Sequence, residues 1–347
     1  MHLMRITIGL VLLTTLSAAC QLPARRPPTE REAVKETLVW PRPPLRARVR
    51  FLKALGGRAD LGIELSFWQQ VGGVLVGKEE QWFIRPTGLA VDEERIYVAD
   101  PGARSLWILD PQAGHLQKIQ KAGGQRLISP VAVTHNQSSH ILLADSYLGK
   151  VFVFTTNGEM KGTIGDADLR RPAGLAYDVK RNRLYVADSL AHRVWIFTGD
   201  GKRIGAIGHR GTGNGEFNFP THLAVDRKGN LYVTDALGFR VQVFDLEGKF
   251  IRQFGRHGDS SGDFASPKGV ALDSEGHIYV VDALFDAVQI FGTKGTYLLT
   301  FGQRGIGLGQ FWLPGGIFID ASDRIYVADA YNQRIQIFQY LKGGFNG

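Results

Sequence analysis

A Tyr-Val-Ala-Asp-like tetrapeptide returns six times, a four-run unit separates its copies, and one run is displaced to the start of the chain. Together these predict an all-β fold: a six-bladed β-propeller of four-stranded antiparallel blades, the last blade closed by an N-terminal strand. The tetrapeptide ends at Asp100, Asp145, Asp188, Asp235, Asp282 and Asp329, in steps of 45, 43, 47, 47 and 47 residues.

Each unit opens with Pro and a small residue before an apolar run, as in Pro172-Ala173-Gly174-Leu175-Ala176-Tyr177. In the fourth unit a polar turn, Asp226-Arg227-Lys228-Gly229-Asn230, leads to Leu231-Tyr232-Val233-Thr234-Asp235. The alternating run Val241-Gln242-Val243-Phe244 follows, and then Phe250-Ile251-Arg252-Gln253-Phe254-Gly255. Short β-branched and aromatic runs bounded by Gly, Asp and Asn read as a meander. One such sheet cannot bury both faces alone, whereas six around an axis can. The sixth unit stops after Arg334-Ile335-Gln336-Ile337-Phe338. Its missing strand is expected in Arg48-Val49-Arg50-Phe51-Leu52-Lys53-Ala54-Leu55-Gly56-Gly57, which would close the ring and remove two sheet edges.

The units resemble the NHL repeat of six-bladed propellers. The likeness rests on Pro-x-Gly-Leu-Ala-Val-Asp at Pro86, on Ile325-Tyr326-Val327-Ala328-Asp329, and on Asn332-Gln333-Arg334-Ile335-Gln336-Ile337-Phe338. Linkers such as Gly208-His209-Arg210-Gly211-Thr212-Gly213-Asn214-Gly215-Glu216-Phe217 add to it, and it covers residues 85–344. The resemblance is specific for fold and weak for function. It implies a range that includes RNA-binding and ubiquitin-ligase-associated modules, amidating lyases and bacterial envelope proteins.

Residues 1–19 read as a signal peptide: Arg5, an apolar stretch from Ile6 to Leu16, then Ser17-Ala18-Ala19. Cys20, the only cysteine, resembles the lipobox cysteine of bacterial lipoproteins, with Leu16 one place further away than usual. The resemblance implies lipidation, and Gln21 in place of Asp implies the outer membrane, facing the periplasm. Residues 20–47, rich in Pro and Arg, are expected to be a tether, with the propeller over 48–347. The formal charge of +8 is unevenly placed: residues 21–58 carry +7, Arg5 adds one, and residues 59–347 balance at 30 basic and 30 acidic side chains. A propeller without net positive charge argues against nucleic acid, and a basic tether suits anionic headgroups. Phe67, Trp68, Val71, Val74 and Leu75 predict a short helical insert over residues 65–76, either packed on the edge or covering the channel mouth.

The repeated aspartates are followed five places on by Lys150, Arg193, Arg240 and Arg334, a spacing that fits structural ion pairs and turn caps. Candidate pairs are Asp188 with Arg193, Asp235 with Arg240, and Asp329 with Arg334. Two places after the opening Pro the six units carry Gly88, Ala132, Gly174, His222, Gly269 and Gly316. His222 is the departure, expected as a wall residue near the channel mouth. Catalytic zinc needs three convergent ligands and one histidine is present there, so no metal and no cofactor is expected. The same face carries Tyr147, Leu148, Leu190, Leu237, Phe239, Leu284, Phe285 and Tyr331, with Phe217, Phe264 and Trp312 in the linkers. Of these, Phe217 and Phe264 fit gaps between blades. The others read as an apolar patch for a protein or peptide partner in the cell envelope, with His222, Phe239, Phe285, Tyr147 and Tyr331 as the candidate ligand face. A non-catalytic scaffold is the reading. Its alternatives are a hydrolase or lyase with a site near His222, and a small-molecule or polysaccharide sensor.

Overall fold

The computed structural model describes residues 38–57, 60, 82–92, 95–136, 138, 140–165 and 168–343. The signal peptide, Cys20 and the insert at 65–76 lie outside them, as does the tether up to residue 37.

Six sheets follow one another along the chain. Blade one is Gly88–Val91, Ile96–Asp100, Ser105–Asp110 and His115–Ile119. Blades two to five repeat this order, from Pro130–His135 through Tyr297–Phe301. Blade six has Ile317–Ile319, Arg324–Asp329 and Arg334–Tyr340, and its fourth strand is β2, Val49–Leu55. The register is antiparallel, with Val49 opposite Tyr340 and Leu55 opposite Ile335.

Blade six has a fifth strand as well. β1, Val39–Trp40, pairs with β2 inside the stretch assigned above to the tether, so the described fold begins ten residues before residue 48. The reason is aromatic burial. The Trp40 ring lies 5.9 Å from Phe301 and 5.7 Å from Phe338 and covers the outer edge of the closing blade.

Burial explains the residue types. The second strands, such as Ile278–Asp282, are buried at every position except the leading Arg183 and Arg324, because neighbouring blades cover both faces. The outer strands alternate, as in Phe250–Phe254, since one face meets solvent. Three linker aromatics, Phe217, Phe264 and Phe311, are fully buried and stack on Phe244, Phe291 and Phe338 at 5.6, 5.6 and 5.8 Å. The linker glycines make room for them: a Cβ on Gly208, which has φ 80°, would stand 2.3 Å from the Phe217 ring.

The loop face and channel mouth

Each blade turns back on the face where its second strand ends, and the linker from the preceding blade reaches the same face. The repeated aspartate joins the two. All six are fully buried. Asp282 accepts from the N–H of Ala265 at 2.7 Å and Ser266 at 3.0 Å in the linker, and from Leu284 at 3.1 Å and Phe285 at 3.3 Å in the turn. Asp145 does the same with Ile128, Ser129, Tyr147 and Leu148. Asp188 takes Arg170, Arg171 and Ala191. A carboxylate with four lone-pair sites can hold a linker and a turn at once.

The ion pairs are fewer than the spacing suggests. Arg240 Nε donates to Asp235 at 2.9 Å, and Arg334 Nε to Asp329 at 2.8 Å. Both guanidinium groups also bond linker carbonyls, Arg240 reaching Thr212, Gly213 and Glu216. Arg193 instead bonds the Ala191 carbonyl and lies 4.9 Å over the Trp195 ring, while Lys150 bonds Gln125. The difference follows from the third strand. Blades four to six place Gln242, Gln289 and Gln336 there, each accepting from a linker glycine N–H and donating to a linker carbonyl. Blades one to three place Trp107, Phe152 and Trp195 at that position, and these cannot bond the linker twice. The glutamines were not singled out from the sequence, although their recurrence in Val-Gln-Val, Val-Gln-Ile and Ile-Gln-Ile was visible.

The fourth residue after each aspartate is left-handed. Arg104, His192, Phe239, Asp286 and Gln333 have φ between 49° and 56°, and Gly149 has 63°. That turn pushes the second residue outward. Tyr147 is 76 % exposed, Leu190 44 %, Leu237 52 %, Leu284 63 % and Tyr331 49 %. Five blades thus raise one bulky apolar side chain from the same place in the turn, and blade one has Gly102. Phe239 and Phe285, read above as part of the patch, are half-buried, and the Phe239 ring packs 4.4 Å from His257. Trp312 is exposed and pairs with Tyr331 at 5.8 Å.

The channel runs between the innermost strands and encloses about 200 Å³. Its wall is apolar apart from Thr87, Thr134, Tyr177 and His222. The glycines two places after the Pro are there for packing. A Cβ on Gly174 would fall 2.2 Å from the Thr221 carbonyl oxygen, and one on Gly316 2.0 Å from that of Thr87, each in the next blade. His222 borders the cavity, with Nδ1 3.1 Å from Thr221 Oγ1. Burial, helped by the nearby Lys268 ammonium, pushes its pKa down to about 3, so the ring is neutral at pH 7. Among the described residues, no group of three or more His, Cys, Asp or Glu side chains is placed to hold a metal ion.

Exposed charge beside the aspartate clasps is uneven, although the propeller balances overall and Arg210, Arg256 and Arg304 also stand exposed in the linkers to blades four to six. Arg85, Arg104, Lys150, Arg170 and Arg171 stand exposed on blades one to three. The corresponding linker pairs of the other blades, Asn218-Phe219, Ala265-Ser266 and Trp312-Leu313, are uncharged.

Comparison with known proteins gives two matching descriptions. "6-bladed beta-propeller" matches residues 176–253 and 227–288, and "NHL repeat" matches residues 311–338. A protein of unknown function from Bacteroides thetaiotaomicron VPI-5482 is similar at TM-score 0.60 and 15% identity, over 75% of this chain and 70% of that one. An auxiliary nutrient binding protein from the same organism gives 0.59 and 12%, over 75% and 70%. A streptogramin B lyase gives 0.57 and 12%, over 75% and 94%. At such identities the likeness concerns the fold alone. No curated protein matches the sequence.

Proposed function

We propose, from the premise that this chain is a six-bladed β-propeller carrying NHL repeats, that it is a non-catalytic binding scaffold of the bacterial envelope. In this reading it is exported, lipid-anchored at Cys20 in the outer membrane, and offers its loop face to a protein or peptide partner. The observation that carries the reading is the ring of exposed Tyr147, Leu190, Leu237, Leu284 and Tyr331. Apolar side chains raised around one rim gain free energy when a partner covers them, and such patches mark interaction sites. The channel supports a macromolecule over a small ligand, because about 200 Å³ is below the roughly 300–1,000 Å³ of ordinary ligand pockets.

A photo-reactive residue at Leu237 or Leu284, in cells with intact envelopes, tests this. One dominant adduct mapping to a single segment of one protein is expected, and Cys20→Ser should abolish it by releasing the chain from the membrane. No adduct at either position would overturn the scaffold reading. An adduct that survives Cys20→Ser would overturn the anchor.

A further inference from the structure

Lys268 follows the opening Pro of blade five, on the innermost strand Pro267–Leu272. Its equivalents are Thr87, Val131, Ala173, Thr221 and Gly315, so one blade carries an ammonium where the others have small side chains, next to the channel-lining Gly269. The side chain is half-buried, and burial lowers its pKa. Its charge is felt by His222 on the adjoining blade four. Asp282 is the opposing charge, but four backbone N–H groups already engage that carboxylate. No ion pair or hydrogen bond to the Lys268 ammonium occurs among the described residues. Buried cations are ordinarily paired, because desolvation is costly without a counter-charge.

The rim repeats this signature at lower burial. Arg85 and Arg104 flank the clasp of blade one, Lys150 follows the turn of blade two, and Arg170 and Arg171 bond the clasp of blade three through their N–H groups. The exposed acid described beside them is Asp168, which is bonded to Arg203. The exposed aromatics stand apart, Tyr147 on blade two and the Trp312–Tyr331 pair on blade six, which adjoins blade one. Single-stranded nucleic acid needs a basic track along its backbone, whereas residues 59–347 balance 30 basic with 30 acidic side chains. Carboxylates spaced along an extended chain fit the rim cations: arginine takes them in a bidentate fork, and apolar neighbours can settle on the rim.

Resting on the loop-face reading above, we infer that the partner presents an acidic peptide segment, lying over blades one to three and placing one carboxylate beside Lys268 in the channel mouth. The probe is a fluorescent Glu-rich dodecapeptide carrying one Tyr and one Leu, titrated into the full mature chain in detergent. Its Gln counterpart, free succinate and a 12-nucleotide single-stranded RNA serve as comparators. The Glu peptide should bind. K268M should weaken it by about 30-fold or more, as for loss of a buried charge partner, and K268R should restore most of the affinity. R170E with R171E should weaken binding and flatten its salt dependence. The thermal midpoint of each variant shows whether it is folded, and K268Q replaces K268M if that variant is not.

Equal affinity for Glu and Gln peptides, no effect of Lys268 substitution, or tighter binding of the RNA would each overturn the inference. Displacement of the peptide by succinate at matching concentration would overturn the peptide source in favour of a free carboxylate. A photo-adduct at Leu237 mapping to a segment without Asp or Glu overturns this inference and leaves the scaffold standing. Absence of any adduct removes both.

Discussion

At the scale of the residue, the repeated aspartate is a clasp between chain segments. Its recurrence and its capping role could be read from spacing, because Asp before a turn is a local signal. Its linker donors could not, since Ala265 and Ser266 lie 17 and 16 residues upstream of Asp282 and meet it only through the blade. Asp282→Ala leaves four N–H groups without an acceptor and should lower stability by about 3 kcal/mol. Asp282→Asn, which keeps one oxygen, should lose less. Denaturant unfolding at neutral pH measures both, and a loss below about 1 kcal/mol for the alanine variant would reduce the clasp to an ornament of the turn. His222 gives a pH signature. The unfolded chain takes up a proton below pH 6.5, and the folded ring refuses it until about 3. Stability attributable to this group is therefore intact above 6.5 and falls as pH drops through that window. The slope is on the order of 1 kcal/mol per pH unit, and less where the channel admits solvent. His222→Gln should remove that part of the slope. Parallel stability curves for the two proteins would show that the ring titrates normally.

At the scale of the element, the closing strand joins the two ends of the described chain. β2 buries Val49 and Leu55 completely and is the bonding partner of both Arg334–Tyr340 and β1. Deleting residues 45–57 exposes a long edge on blade six and opens the ring. The expected outcome is loss of cooperative thermal unfolding by circular dichroism, with aggregation on size exclusion. A monomer melting at the wild-type temperature would show that five complete blades suffice. The strand was legible because it has the same form as Phe250–Phe254. β1 was not, because two residues among prolines have no periodicity, and its place depends on the Trp40 ring finding Phe301 and Phe338. The loop-face aromatics show the same limit. Position in the turn made Phe239 and Phe285 equal candidates with Leu237 and Leu284, but the left-handed residue at Phe239 turns its ring onto His257 while Leu237 is raised to solvent.

At the scale of the molecule, a balanced net charge conceals a local concentration of exposed cations beside the clasps of blades one to three. The far-side turns are capped by Asp226, Asp245, Asp273 and Asp320, each accepting backbone N–H groups within its own turn. On the loop face, blades one to three place exposed Arg85, Arg104, Lys150, Arg170 and Arg171 beside the clasps. The acidic peptide is the ligand expected from this concentration of cations, and its binding should weaken steeply with salt. The halves also differ in construction: blades four to six fix their glycine linkers through Gln242, Gln289 and Gln336, while blades one to three have Trp107, Phe152 and Trp195 at that place.

The sequence by itself determined the blade count, the strand order and the closure by residues 48–57. Each of these is a periodic or self-similar pattern, carried by neighbours along the chain. Only the tertiary structure decided which turn residues face solvent, that the channel glycines serve strand-to-strand packing, that Arg193 leaves its aspartate, and that Lys268 stands beside His222. Those outcomes depend on contacts between blades whose residues lie some 45 positions apart in sequence, where identical spacing leads to different neighbours.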